Sequence, residues 1–359
     1  MYAGRRKSTH FRALVRFAHE DEARRFAIRA SSDEPRVVSL RETPPKPSKT
    51  AEAAFFTHVF AASGARSAAA GGARTPEREK GGSSGIGHTA PEYPGMEYLE
   101  RRRGQVEDRI EAVLADVEPD ELGEEVEHVV LSGGKRVRPT VTVLVCEALG
   151  GDVEDAVDFA VGIELVHSAS LVIDDIIDRS ELRRGTPSAW AEYGYGPAII
   201  ASDGLLGEAF ALFSTDERAM QAVSEAMVEL GEGEATELVA QPTSEEEYMD
   251  LARRKTGALF RAAAELGAIA ADADAYTVER FGTYAERVGV AFQMRDDVLD
   301  ATADSADLGK PTGHDAAMER PSLVQVADLS HEEATERARE ESETALTALS
   351  RVDVADTEA

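Results

Sequence analysis

The sequence predicts an all-α fold, and three observations carry that reading. Apolar residues recur at i, i+3 and i+4 through nearly every segment after Met96, alanine is abundant, and no stretch alternates polar and apolar residues as a strand would. Breaks at Ser132–Gly134, Gly185–Pro187, Tyr193–Pro197 and Leu308–Gly313 cut the pattern into separate helices. The expectation is one bundle of roughly ten helices, treated as a single domain.

Residues 1–95 stand apart. PPKPSK (44–49), a small-residue run around Ala62–Ala73 and EREKGGSSGIG (77–87) give poor periodicity and frequent breakers, the marks of a disordered extension. A translation start at Met96 explains the same boundary, and intact-mass measurement on protein from the native host separates the two readings. From Met96 the chain turns at once into MEYLERRRGQVEDRIEAVLADV, a helical pattern. The periodic segments after it are Val141–Leu149, Ala156–Ile177, Leu205–Phe213, Ala219–Leu230, Glu245–Ala271, Val278–Leu299 and His331–Leu349.

Charge divides at the same place. Residues 1–95 carry 16 Lys+Arg and 10 Asp+Glu, a net +6; residues 96–359 carry 23 and 58, a net -35, so the chain's formal net charge of -29 comes entirely from the body. A field of that sign excludes nucleic acid and anionic membrane as partners of the body. It resembles the acidic surface of proteins from a high-salt cytoplasm, an expectation that stability against KCl concentration tests. Cys146 is the single cysteine, which excludes an internal disulfide and fits a reducing compartment. No run of 18 uninterrupted apolar residues occurs, and no apolar region follows Arg5-Arg6, so neither a transmembrane helix nor a twin-arginine signal is expected. The reading is a cytoplasmic protein.

DDIID (174–178) and DDVLD (296–300) hold the only two Asp-Asp pairs, each with a third Asp three residues after the second. Positions i and i+4 share a helix face, so Asp174 lies over Asp178 and Asp296 over Asp300. Both motifs follow apolar stretches, SLVI and VGVAFQM, whereas the acidic faces SEEEY (244–248) and SHEEATERAREESE (330–343) are polar throughout. Two carboxylates one turn apart repel by about 3 kcal/mol at an effective dielectric of about 20. A hard divalent cation removes that repulsion, and oxygen-only ligands without a Cys or His cluster select Mg²⁺, which completes its shell with water and phosphate.

The body has only three lysines: Lys135 in GGKRVRP, Lys255 in RRKTG and Lys310 in LGKPTG, each beside Gly or Thr. With Arg138, Arg183 and Arg184 they form a cationic set suited to phosphate, by point charge or by guanidinium fork. Arg136 reads as an ordinary salt-bridging residue. His167 precedes Asp174 by two helical turns on the same face, a position for either a satisfied core histidine or a ligand. Two Mg²⁺-binding acidic clusters with cations around them describe a site for diphosphates over an apolar interior.

Six motifs between Gly133 and Leu323 stand in a recognisable order: GGKRVRP, ELVHSASLVIDDIIDRSELRRGTP, SDGLL, RRKTG, FQMRDDVLD and LGKPTGHD. With them the chain resembles the trans-isoprenyl diphosphate synthases (polyprenyl synthetases), of the geranylgeranyl or longer-chain type. The resemblance implies the type I isoprenoid synthase fold, a helical bundle around a central prenyl cavity. It implies Mg²⁺ as cofactor, three ions per active site with substrate bound. Asp174 and Asp178 match its first metal motif; Asp296, Asp297 and Asp300 match its second, Asp296 foremost. Lys135, Arg138, His167 and Arg184 match the isopentenyl diphosphate site. Arg183, Lys255, Thr256, Gln293 and Lys310 match contacts to the allylic substrate, with Thr256, Gln293 and the Lys255 carbonyl as dipoles for the cation. The implied reaction is head-to-tail condensation without an activated nucleophile.

The small residues Ala169 and Ser170, five and four positions before Asp174, imply products of C20 or longer. The C-terminus is short for the family, with 59 residues after Asp300, and Glu319-Arg320 stands where a second lysine is expected. A homodimer is implied. A catalytically weak or regulatory subunit of a heteromeric synthase is the alternative, and a terpene cyclase the more remote one, because cyclases lack GGKRVRP and the DDVLD form.

Overall fold

A computed structural model describes residues 94–302 and 322–349 of the chain, without side chains for residues 94–97, 299–302 and 346–349. The expectations placed on residues 1–93, on Lys310, on Glu319-Arg320 and on the Asp300 side chain lie outside the described residues. The described chain opens in helix, two residues before Met96.

The elements run α1 (Pro94–Leu114), α2 (Asp120–Leu131), α3 (Val137–Ala148) and α4 (Val153–Ile177), then a short hairpin, α5 (Ala189–Tyr193), α6 (Tyr195–Phe213) and α7 (Glu217–Val239). There follow α8 (Glu245–Ala252), a π-turn at Arg253–Gly257, α9 (Ala258–Ala270), α10 (Ala275–Thr302), α11 (Leu323–Val326) and α12 (His331–Leu349). The all-α expectation holds, with one correction: Leu182–Arg183 pairs antiparallel with Thr186–Pro187. Arg184 and Gly185 between them have φ of 55° and 84°. Two positive φ values in succession are what a two-residue type I′ hairpin demands. Arg-Gly is not the usual spelling of that turn, so no strand signal is legible there.

Helix α4 is the axis of the bundle. It is apolar on all sides, as a helix surrounded by others must be, and it packs on α1, α3, α6 and α9. Its start is fixed by the Asp155 carboxylate, which accepts from the Asp152 N–H at 3.0 Å. Its own Ile163 and Leu165, and Ile110, Leu114, Leu205, Phe213, Leu259, Phe260 and Leu266 around it, are fully buried, each contributing about 2 kcal/mol by leaving water. A second apolar cluster of Tyr248, Ala252, Val290, Met294, Leu323 and Ala334 closes the bundle beneath the end of α10.

Three helix boundaries differ from the periodic segments. The break at Tyr193–Pro197 shrinks to Gly194, whose φ is 93°, because Pro197 fits the first turn of α6, where a missing N–H costs nothing. The continuous helix at Glu245–Ala271 is interrupted by the π-turn over RRKTG. Asp120–Leu131 forms a helix that the apolar periodicity did not mark. Helices α4 and α6 are, by length and composition, apolar enough to cross a membrane, which a search for uninterrupted apolar runs did not register. In α4 the apolar character is explained by burial. The corresponding stretch of α6 is one-third buried, leaving Ile199 and Ile200 exposed.

Candidate functional site

Helix polarity organises the site. DDIID occupies the last turn of α4 and DDVLD the end of α10, and neither helix has a basic residue in its last turn. The C-terminus of a helix carries partial negative charge, so six aspartates stand at the wrong pole. GGKRVRP leads into the N-terminus of α3 with Lys135 and Arg136 at the positive pole, equally wrong for cations. A ligand of opposite charge would relieve each misplacement: a cation at the ends of α4 and α10, an anion at the start of α3.

The anion side is built around two glycines and the hairpin. Gly134 has φ 136°, a conformation that side-chain-bearing residues rarely adopt, and a Cβ on it would come within 2.8 Å of the Arg184 guanidinium and 3.1 Å of that of Arg136. Arg184 donates to the Gly133 carbonyl. Arg136 is 3% exposed and donates to Glu164 Oε1 at 2.8 Å and to the Val130 carbonyl at 2.7 Å, a structural role as its sequence suggested. Arg138 lies over the Phe260 ring at 4.9 Å. Burial pulls its guanidinium down to about 10, against Glu164 and Asp296, which raise it; it stays charged at neutral pH. His167 is held well below the ordinary imidazole value, first by burial and then by Arg138, Arg184, Arg183 and Arg136. The imidazole is therefore neutral, with one N–H to donate. Lys135 is exposed at the rim.

The hairpin sends its two arginines to different partners. Arg184 reaches back to the GG loop, while Arg183 Nε donates to both oxygens of Asp175, at 3.0 and 3.1 Å, with Nη2 donating as well. Asp175 is 4% exposed, and burial raises its pKa despite the guanidinium, which lowers it. The middle aspartate of DDIID is thus a tether for Arg183. The hairpin is itself tied down: Ser188 Oγ and Trp190 Nε1 both donate to the Ser180 carbonyl, at 2.6 and 3.0 Å. Asp174 and Asp178 are partly exposed on the last turns of α4.

The π-turn supplies the third part, and π-turns concentrate at functional positions. Thr256 Oγ1 donates to Gln293 Oε1 at 2.8 Å, and Gln293 Nε2 donates to Asp297 Oδ1 at 2.8 Å. Asp297 is enclosed by donors from the protein itself. It is 5% exposed, and its Oδ2 accepts from Tyr248 Oη at 2.6 Å and from the Leu323 N–H at 3.2 Å. It belongs to the wall, while Asp296 is exposed. Lys255 is also paired within the protein: its ammonium meets Glu237 and, at 3.1 Å, Glu234. These glutamates, with Asp174 beyond them, raise its pKa against the effect of burial.

Fields link the parts: Asp174 acts on Lys255, and Asp296 on Arg138. Among the described residues no three His, Cys, Asp or Glu side chains converge into a closed metal cage. The donors that do face outward are carboxylate oxygens at helix C-termini, which fit a hard cation completing its shell elsewhere. Of the residues tied to chain length, Ala169 is buried where Ser202 Oγ donates to its carbonyl at 3.1 Å, and Ser170 is partly exposed. Sequence reasoning missed Asp175 as a tether, Tyr248, and Glu164, a carboxylate inside the apolar run VGIELVH that signals a buried partner.

The polyprenyl synthetase model matches residues 119–354. A short chain isoprenyl diphosphate synthase of Methanothermobacter thermautotrophicus is 36% identical over 254 residues, covering 68% of this chain and 78% of its own length. A geranylgeranyl diphosphate synthase of Methanosarcina mazei is 34% identical, covering 64% and 74%. The crystal structure of geranylgeranyl pyrophosphate synthetase from Pyrococcus horikoshii superposes with a TM-score of 0.61 at 33% identity, covering 72% of this chain and 85% of that one. Motif order, fold and these likenesses agree: the chain belongs to the polyprenyl synthetase family.

Proposed function

We propose that the protein is a trans-prenyltransferase that condenses isopentenyl diphosphate head-to-tail with an allylic diphosphate, giving a prenyl diphosphate of C20 or longer and releasing diphosphate. The observation that carries this reading is the opposed misplacement of charge: aspartates at two helix C-termini beside arginines at a helix N-terminus. An enzyme for two diphosphates, one metal-bridged and one not, needs that pairing.

Asp174, Asp178 and Asp296 would hold Mg²⁺, which supplies positive charge to the leaving diphosphate. Arg183, fixed by Asp175, donates to the same diphosphate. Lys255 joins it by rotating its stem away from Glu234 and Glu237. Arg138, Arg184, Lys135 and neutral His167 bind the isopentenyl diphosphate, and His167 donates a hydrogen bond without adding charge. The allylic C–O bond breaks with its electron pair on the diphosphate, the isopentenyl double bond attacks the cation, and the released diphosphate takes a proton from the new cation, whose C–H electrons form the product double bond. Lone pairs of Thr256 and the Lys255 carbonyl face the developing positive charge.

The named relatives span short-chain and geranylgeranyl synthases; the small Ala169 and Ser170 favour the longer product. Incubating the isolated chain with labelled isopentenyl diphosphate and dimethylallyl, geranyl or farnesyl diphosphate, then sizing the products, tests both claims. A C15 end product would overturn the length, and no product with any starter would overturn the activity. Mg²⁺ dependence is read in the same assay, and a cytoplasmic homodimer is the proposed state, checked by light scattering.

A further inference from the structure

We infer that Tyr248 and Asp297 are positioning residues: they lock the Gln293 amide and, through it, the Thr256 hydroxyl, and Asp297 is not a metal ligand. This rests on the prenyl transfer proposed above.

An ionised carboxylate only accepts hydrogen bonds. Gln293 must therefore offer its NH₂ group to Asp297 Oδ1, 2.8 Å away, which turns Oε1 toward Thr256. Thr256 Oγ1 must then donate to that oxygen, leaving its lone pairs outside the bond. One acidic residue thus sets the direction of a hydroxyl two side chains away. The other oxygen of Asp297 is held by the Tyr248 phenol at 2.6 Å and the Leu323 N–H at 3.2 Å. Among the described residues a phenol, an amide and a backbone N–H donate to this buried carboxylate, and a metal ion on those oxygens would have to displace one of them. Tyr248 comes from α8, Gln293 and Asp297 from α10, Leu323 from the start of α11 and Thr256 from the π-turn. The carboxylate therefore ties together four elements. Leu323 is fully buried, so its N–H has no recourse to water.

The test uses the whole chain with Tyr248→Phe and Asp297→Asn. Each removes hydrogen bonding to a charged or charge-orienting group, so kcat should fall about tenfold in Tyr248→Phe and up to about a hundredfold in Asp297→Asn. KM for both diphosphates and the Mg²⁺ concentration for half-maximal rate should stay within about twofold, because neither residue touches diphosphate or metal. Calorimetric binding of inorganic diphosphate with Mg²⁺ should match the unsubstituted chain in both variants. Hydrogen exchange at the Leu323 amide should speed at least about tenfold in Asp297→Asn, as its acceptor is weakened. A large rise in Mg²⁺ requirement in Asp297→Asn, or an unchanged kcat in Tyr248→Phe, would overturn the inference. Should the unsubstituted chain transfer no prenyl group, the proposed function fails by itself. Leu323 exchange and diphosphate binding still decide Asp297's part, and unchanged exchange removes it.

Discussion

DDIID and DDVLD are spelled alike and end two helices alike, yet their middle aspartates are treated differently. Asp175 is buried against a guanidinium brought by the hairpin, whereas Asp297 is buried among a phenol, an amide and a backbone N–H. In the first motif the tether is a cation that can also face substrate. In the second it is a set of neutral donors that fixes the wall. Glu265 shows what happens with neither device: Arg261 stands off at 3.7 Å, and burial pushes this carboxyl up to about 7, helped by Glu225, Glu286 and Glu229. A buried carboxylate needs close donors of either charge, and which kind it receives decides what else it can do.

The contrast can be broken at several strengths. The outer aspartates carry the largest expected effect: Asp174→Ala should cut kcat by about a thousandfold or more while circular dichroism stays unchanged. Near-normal turnover would remove the charge argument altogether. Asp175→Asn comes next. Loosening Arg183 should raise KM for the allylic diphosphate, with kcat/KM down by roughly ten- to a hundredfold. Asp297→Asn should instead lower kcat, so an identical kinetic pattern in the two variants would dissolve the distinction between the motifs.

The smallest effect belongs to Glu265 and is read in stability. Its folded-state pKa is raised from 4.5 to about 7. Below 4.5 both states are protonated and the group's contribution is full; it is lost as pH rises through about 7, where the folded state must ionise a buried acid. Glu265→Gln should therefore gain on the unsubstituted chain by about 2 kcal/mol in passing from pH 4.5 to pH 8, after discounting for partial exposure. Equal pH dependence of denaturant unfolding in the two proteins would show that the carboxyl stays ionised.

Much of this was legible in one dimension. The 3.6 periodicity gave the helical class, since each amphipathic or apolar stripe must find a partner, and the aspartate spacing placed the outer aspartates of each motif together, since helix geometry fixes i and i+4 on one face. The three body lysines and the GGKRVRP cluster marked the anion side, because cations are scarce in a body this acidic. Local chemistry repeats locally, and such patterns survive without contacts.

The rest depended on partners distant in sequence. Nothing in DDVLD says that Asp297 meets a tyrosine 49 residues earlier, or that Lys255 lies among Glu234 and Glu237 rather than outward. The hairpin at Arg183–Thr186 arises from two positive φ values that a bulky Arg-Gly pair does not advertise. By itself the sequence determined the helices, the family and which residues carry charge, because these follow from periodicity and composition. Only the tertiary structure decided which carboxylates face outward and which are spent inside the wall, because burial and hydrogen-bond satisfaction are settled between helices, after they pack.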